Sequence, residues 1–430
     1  MVTMNQDYTQ YAIENYILKI TGVFNYDKEF RAKSSQYGYN ELKYSDSELK
    51  SYKDLFYPDY RRNFFSNDDK RHIILTKSAF KNSFLKFGNS EKTLSISIEE
   101  SRLDLFDDGF GLFSIEIKIN KENITLSDFS DASFFVRNFE SKLQSNTYNK
   151  WHEFIENELL LGSKTRGEHI NVDDYSGTKY KLYMIVDVPE ILTEKERDHL
   201  LVDLATISQI GTTGLKGPNS FDSNYFNKLL KQNGIIVYGN WKGLALLDTF
   251  TILGKGIFGN PWDIPKYKYT YYSIFMYCLF VKYSLFKFNY EIANLDEDRR
   301  ANFQKFMSKY YYNLISYNFL PTELFMKIKI GLDIDNECNL LNEKIELIGR
   351  QIQEEQQDRT NKILGIVTVL TSVSSVQPVY EYLIEGQKIL GWSSEIYWVT
   401  TISIVLVLGG GVGFYVFGRN IIKWYNKRKK

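Results

Sequence analysis

Hydrophobic and polar positions follow different rhythms along this chain. The first seventy or so residues are polar and aromatic without long apolar runs, a pattern that predicts short helices and loops. Strand signals begin at Arg71-His72-Ile73-Ile74-Leu75, and Thr93-Leu94-Ser95-Ile96-Ser97-Ile98 alternates strictly, as a half-buried strand does. Asp107-Asp108-Gly109 joins Leu103–Phe106 to Phe113–Ile119, an Asp-Gly hairpin signal. Residues 70–120 therefore read as an antiparallel meander. Leu126–Leu143 carries a helical spacing of Phe129, Phe134, Phe135, Phe139 and Leu143, and Tyr180–Val188 reads as a strand. Thr193–Ile207 is an amphipathic helix with Leu200, Leu201, Leu204 and Ile207 on one face. Ile235–Tyr238 and Leu244–Leu247 flank a second hairpin turn.

Beyond residue 255 the period turns helical. Tyr267–Phe288 is densely aromatic, but its uncharged core ends at Lys282, which suits a buried helix. Arg299–Tyr317 is a helix ended by Pro321, and Thr322-Glu323 opens the next. From about Asn336, Leu341, Ile345, Ile348 and Ile352 recur four, three and four residues apart, a seam of coiled-coil type. No proline interrupts this helix before Ile363, so it is expected to run on as one rod into Ile363–Tyr380, which carries no charge. A second uncharged run, Ile396–Gly418, precedes Arg419, Lys423, Lys427, Arg428, Lys429 and Lys430. About 20 apolar residues of helix span a bilayer core, so the two runs predict a transmembrane hairpin. The expected fold class is an α+β cytoplasmic domain (1–255), a helical region ending in a long stalk helix (256–362), and a two-helix transmembrane hairpin with a basic tail (363–430).

Composition narrows this in three places. The 53 basic and 53 acidic residues cancel, so no global field points to nucleic acid. The N-terminus has neither a basic nor an apolar segment of signal type. Together with the basic tail and the positive-inside rule, this predicts a multi-pass protein of the cell or inner membrane with both termini cytoplasmic. Cys278 and Cys338 lack C-x-x-C spacing and read as two unpaired thiols.

Candidate chemistry is sparse. There is no P-loop, G-x-S-x-G or H-E-x-x-H, so no enzyme is expected. His72, His152, His169 and His199 are scattered and read as ordinary surface or core residues. Gly211–Gly217, GTTGLKG with Lys216, has the make-up of an anion-holding loop but reads as a plain loop, and Asp173-Asp174 and Asp296-Glu297-Asp298 read as solvated turns. The first uncharged run carries the most specific pattern. Thr368, Thr371, Ser372 and Ser375 share one helix face, extended by Asn361 and Gly365. Small hydroxyls in line serve either close helix packing or the wall of an oligomeric pore.

A long cytoplasmic helix entering a first span, a short external loop, a second span and a basic tail resemble the architecture of the CorA family of divalent-cation channels. Thr360-Asn361, Val367-Thr368 and Pro378 resemble that family's pore helix. The resemblance covers about residues 300–430. It implies a homopentamer with Asn361, Gly365, Thr368, Thr371, Ser372 and Ser375 lining a pore, and magnesium or another divalent cation as permeant or regulatory ion. The family's Gly-Met-Asn signature is missing; Glu385-Gly386-Gln387 stands at its place, and Glu381, Glu385 and Gln387 would form the external mouth. Three functions stay open: a cation channel gated by its cytoplasmic domain, a membrane effector of a type III CRISPR-like antiphage system answering a nucleotide-type ligand, and a membrane-anchored binding protein that does not conduct. The expected partners are the lipid bilayer, further copies of the chain, and a small nucleotide-type gating ligand.

Overall fold

The computed structural model describes residues 10–27, 29–67, 72–78, 80, 85–88, 93–106, 110–138, 150–163, 179–189, 192–213, 221–291, 297–391, 399–400 and 403. The chain divides into two compact units, Met1–Asn342 and Glu343–Lys430.

The first unit begins with β1 (Tyr16–Asn25), α1 (Phe30–Gln36), β2 (Asn40–Glu41), α2 (Asp46–Leu55) and α3 (Pro58–Phe64). Then come β3 (His72–Ser78), β4 (Leu85–Gly88), β5 (Thr93–Phe106), β6 (Phe110–Ile119) and α4 (Leu126–Arg137). A π-helical turn (Phe154–Leu159) leads to β7 (Lys181–Asp187), α5 (Glu194–Thr206), α6 (Ser223–Asn233), β8 (Gly234–Ile235), β9 (Trp241–Ala245) and β10 (Thr249–Gly254). A second π-helical turn (Lys266–Tyr271) runs into α7 (Tyr272–Glu291), followed by α8 (Glu297–Tyr310), α9 (Phe319–Gly331) and α10 (Ile334–Leu390).

Among the described residues, all ten strands join one sheet in the order β2-β3-β5-β6-β1-β7-β10-β9-β8, with β4 paired to β5. Every pair is antiparallel except β7 and β10, which run parallel from Thr249↔Leu182 to Gly254↔Asp187. Parallel neighbours need a crossover; α5, α6 and the β8–β9 hairpin supply it. One sheet face meets α7, where Phe280 stacks on Phe106 at 4.0 Å. The other meets α5, where Thr249 Oγ1 donates to Ala205 O at 2.5 Å. Capping boxes fix the starts of three helices: Ser45 with Glu48 at α2, Thr125 with Asp128 at α4, and Thr193 with Glu196 at α5.

The sheet face under α7 carries buried charge. Arg102 donates twice to Asp104, at 2.7 Å each, and His72 Nε2 lies 2.8 Å from Asp104 Oδ1. Burial raises the Asp104 carboxyl, but the Arg102 charge and the hydrogen bonds from His72 and Arg102 outweigh it and hold it at about 2. Beside this group Lys19 sits 4.6 Å from the centre of the Tyr272 ring, and Lys268 pairs with Glu116 at 2.8 Å.

Several expectations are corrected. The first seventy residues hold β1, the strand between β6 and β7. The expected antiparallel strands of residues 70–120 and the second hairpin are present, but they belong to one mixed sheet with interleaved helices, so the fold is mixed α/β. Pro321 lies inside α9, in its first turn, where its missing N–H costs nothing. The transmembrane hairpin is overturned: among the described residues, no helix is long and apolar enough to cross a membrane. The run Ile363–Tyr380 interleaves its Ile and Val with Thr368, Thr371, Ser372, Ser374, Ser375 and Gln377, and α10 continues past it through Glu381, Glu385 and Lys388. The multi-pass membrane localisation and the transmembrane character fall with that expectation. The run Ile396–Gly418 lies outside the described residues apart from 399–400 and 403, as does the basic tail.

Breaking the buried ion group leaves Arg102 unpaired in the core. Asp104→Ala should destabilise the fold by about 3–5 kcal/mol in chemical denaturation. Because its folded carboxyl titrates lower than the unfolded one, the Asp104 contribution is complete above pH of about 4 and is lost as pH falls towards 2.

Candidate functional site

The carboxyl ends of β7 and β10 are where an open α/β sheet leaves room for a ligand. Here α5 starts just after β7, and Lys242 of β9 reaches across to Glu194 at 2.9 Å and Asp198 at 2.7 Å in its first two turns. Between α5 and α6 lies a cleft of about 750 Å³, in the size range of small-molecule sites. From α6 come Ser223, Phe226, Asn227 and Leu230, spaced as one helix face. From α5 come Glu194, Asp198 and His199, and from the following loop Thr213.

A buried carboxylate sets this geometry. Asp203 of α5 is fully buried and accepts the backbone amides of Gly211, at 2.7 Å, and Thr213, at 2.9 Å. Ile207 ends α5 in the left-handed conformation at φ 53°, turning the chain back so that these amides face the helix. Burial raises the Asp203 carboxyl to about 6, against the hydrogen bonds from Thr213 and Gly211. The Thr213 hydroxyl then donates to His199 O at 3.1 Å, and His199 Nδ1 lies 3.2 Å from the same hydroxyl oxygen. A hydroxyl has one proton to give. With that proton given to the carbonyl, or to the Asp203 carboxylate that Thr213 also bonds, Oγ1 accepts from the ring, which assigns the ring proton to Nδ1. The Nε2 of His199 is left as an acceptor, with no hydrogen-bond partner among the described residues. Burial, and then the nearby Lys195, push the imidazole below its usual range, so it is neutral at pH 7. Its ring stacks on Phe226 at 4.6 Å and 27°. Lys242 is raised above its ordinary value: burial opposes this, and its bonds to Asp198 and Glu194 outweigh burial.

The residues singled out in the sequence lie elsewhere. Asn361, Gly365, Thr368, Thr371, Ser372, Ser375, Glu381, Glu385 and Gln387 all fall on α10. Thr368 and Thr371 are exposed and turn their hydroxyls onto the carbonyls of Leu364 and Val367. Gln377 donates to Glu381 at 3.2 Å. In the glycine-rich loop, the amides of Gly211 and Thr213 serve Asp203 instead of an anion, and Lys216 lies outside the described residues. So do His169, Asp173, Asp174 and Asp296. His72 belongs to the core ion group, and His152 lies 3.3 Å from Glu156. Cys278 and Cys338 are unpaired and buried. Among the described residues no group of three or more His, Cys, Asp or Glu could hold a metal ion. No family model, curated protein or solved structure matches this chain.

The raised Asp203 carboxyl has a definite pH signature. The folded chain takes up this proton near pH 6, the unfolded chain only near 4, so the folded state gains stability as pH falls between them. Relative to Asp203→Asn, the native chain should gain about 1 kcal/mol by pH 5 and about 3 kcal/mol below pH 4. Parallel stability-against-pH curves for the two chains would contradict the assignment.

Proposed function

We propose that this chain is a binding protein that senses a small nucleotide-type ligand in the cleft between α5 and α6. The observation that carries the reading is hydrogen-bonding capacity, not used within the protein, gathered along one open cleft. His199 Nε2, the Ser223 hydroxyl and the Asn227 amide face no partner among the described residues, while the groups that hold the cleft open are satisfied. Recognition is favoured over catalysis because a hydroxyl, not a carboxylate, orients His199; a hydroxyl does little to stabilise the imidazolium that a general base becomes. The channel and membrane-effector expectations both require the hairpin corrected above, and we propose neither.

A second reading concerns self-association. The seam of Leu341, Ile345, Ile348 and Ile352 continues along α10 in the same four–three spacing through Glu355, Arg359 and Lys362 to Ile366, Val369, Val373, Val376, Tyr380 and Leu383. Leu341 and Ile345 are buried within their own chain; the repeat beyond them has the spacing of a seam that packs against a second helix. Glu355 and Arg359, neighbours on the seam and opposite in charge, meet each other when two copies of α10 run antiparallel. We therefore propose a second copy of α10 as the partner, with Ile366 and Val369, both exposed, in the contact.

Two measurements check these readings. In calorimetric titration, Phe226→Ala should weaken ligand binding by about tenfold or more, whereas Tyr37→Ala, at an exposed site on another element, should leave it unchanged. In light scattering, Ile366→Asp with Val369→Asp should return the chain to monomer mass; a native mass already monomeric at micromolar concentration contradicts the α10 contact.

A further inference from the structure

We infer that the α5–α6 cleft recognises a neutral heterocycle of the nucleobase class by its hydrogen-bonding edge, and that a phosphate contributes nothing essential to capture. This rests on the ligand-binding reading of the same cleft and gives it a chemical class.

Much of the cleft's capacity for binding an anion is already used. Three resources usually seize a phosphate: a free helix N-terminus, a glycine-rich loop with unbonded amides, and an unpaired cation. The helix N-termini and the loop amides are committed, and of the two lysines beside the cleft Lys242 is. The α6 N-terminus is closed by Asp222, whose carboxylate accepts from the amides of Asn224 and Tyr225. The α5 N-terminus is closed by the Thr193–Glu196 capping box. The loop amides of Gly211 and Thr213 are turned onto Asp203. Lys242 is held between Glu194 and Asp198. Lys195 is exposed at the rim, one ammonium against those two carboxylates. An anion entering here meets no cradle of backbone amides; the donors left to it are the exposed Lys195 ammonium, the Ser223 hydroxyl and the Asn227 amide.

What remains suits a planar, neutral edge. His199 Nε2 accepts in the plane of its ring, so a heterocycle that donates an N–H to it continues that plane. The imidazole is inclined by 27° to Phe226 at 4.6 Å, so the ligand ring runs nearly parallel to the Phe226 face. Asn227, one residue on, offers an amide with both a donor and an acceptor, the pair that reads a base edge carrying the complementary set. Phe221 adds an apolar wall. A fixed acceptor, an amide that can donate and accept, and an aromatic surface inclined by 27° to the imidazole match a nucleobase.

Titration calorimetry of the full chain at pH 7.5 tests this, using adenine, adenosine, cytidine, uridine, guanosine, the corresponding nucleoside monophosphates and inorganic phosphate. At least one base or nucleoside should bind within about tenfold of its monophosphate, and inorganic phosphate should not bind. His199→Ala and, because His199 is half-buried and its loss could perturb folding, the exposed-site variant Asn227→Ala should each weaken that binding by about tenfold. Affinity should also fall on acidification, as His199 gains a proton and loses its acceptor, and this fall should vanish in His199→Ala. Binding by monophosphates and inorganic phosphate but no base overturns the nucleobase class while leaving the cleft as a site. If binding survives His199→Ala, Asn227→Ala and Phe226→Ala unchanged, both the class and the cleft are overturned. No binding by any of these probes overturns the class.

Discussion

A carboxylate with no solvent exposure governs this molecule's most distinctive surface. Asp203 lies on the sheet side of α5 and takes two backbone amides from the loop that follows, at 2.7 and 2.9 Å. Each bond to a charged acceptor is stronger than a neutral one, and together they hold the loop against its own helix. Thr213 is thereby placed beside His199, and its single hydroxyl proton decides which ring nitrogen of His199 carries hydrogen. A tautomer on the cleft wall thus follows from a buried charge one turn further along the same helix. The cost of burying that charge shows in the raised Asp203 carboxyl.

The sheet makes this arrangement rigid. The parallel pair β7 and β10 fixes where α5 begins, and Lys242 ties its first two turns to β9. On the opposite face the Arg102–Asp104–His72 group and the aromatic surface of α7 fill the core. Charge buried there is fully paired, so it stabilises one packing instead of offering a site. The cleft differs in kind: its supporting groups are satisfied and its facing groups are not.

Sequence alone carried the strongly periodic elements and missed those whose pattern is ambiguous. Thr93–Ile98 alternates and lies in β5; the seam from Leu341 lies in α10. β1 was hidden because Tyr16-Ile17-Leu18-Lys19-Ile20 is apolar on both faces, and a short continuous run does not distinguish strand from helix. Ile363–Tyr380 misled for the opposite reason: absence of charge stood in for apolarity, although hydroxyls and Gln377 occupy much of it. The cleft was invisible because α5 and α6 are joined only by folding, and His199 belongs to no motif. One signal was present. Asp203 falls on the same helical face as Leu200, Leu204 and Ile207, and a carboxylate inside an apolar stripe, followed by Gly211-Thr212-Thr213, announces a buried acceptor waiting for backbone donors.

The most direct test of this account is the protonation state of His199 itself. Long-range proton–nitrogen correlation spectra of histidine-labelled chain at pH 7.5, assigned by difference with His199→Gln, read it without any ligand. The account predicts a neutral imidazole with its proton on Nδ1 and an unprotonated Nε2. A proton on Nε2, or on both nitrogens, would contradict it.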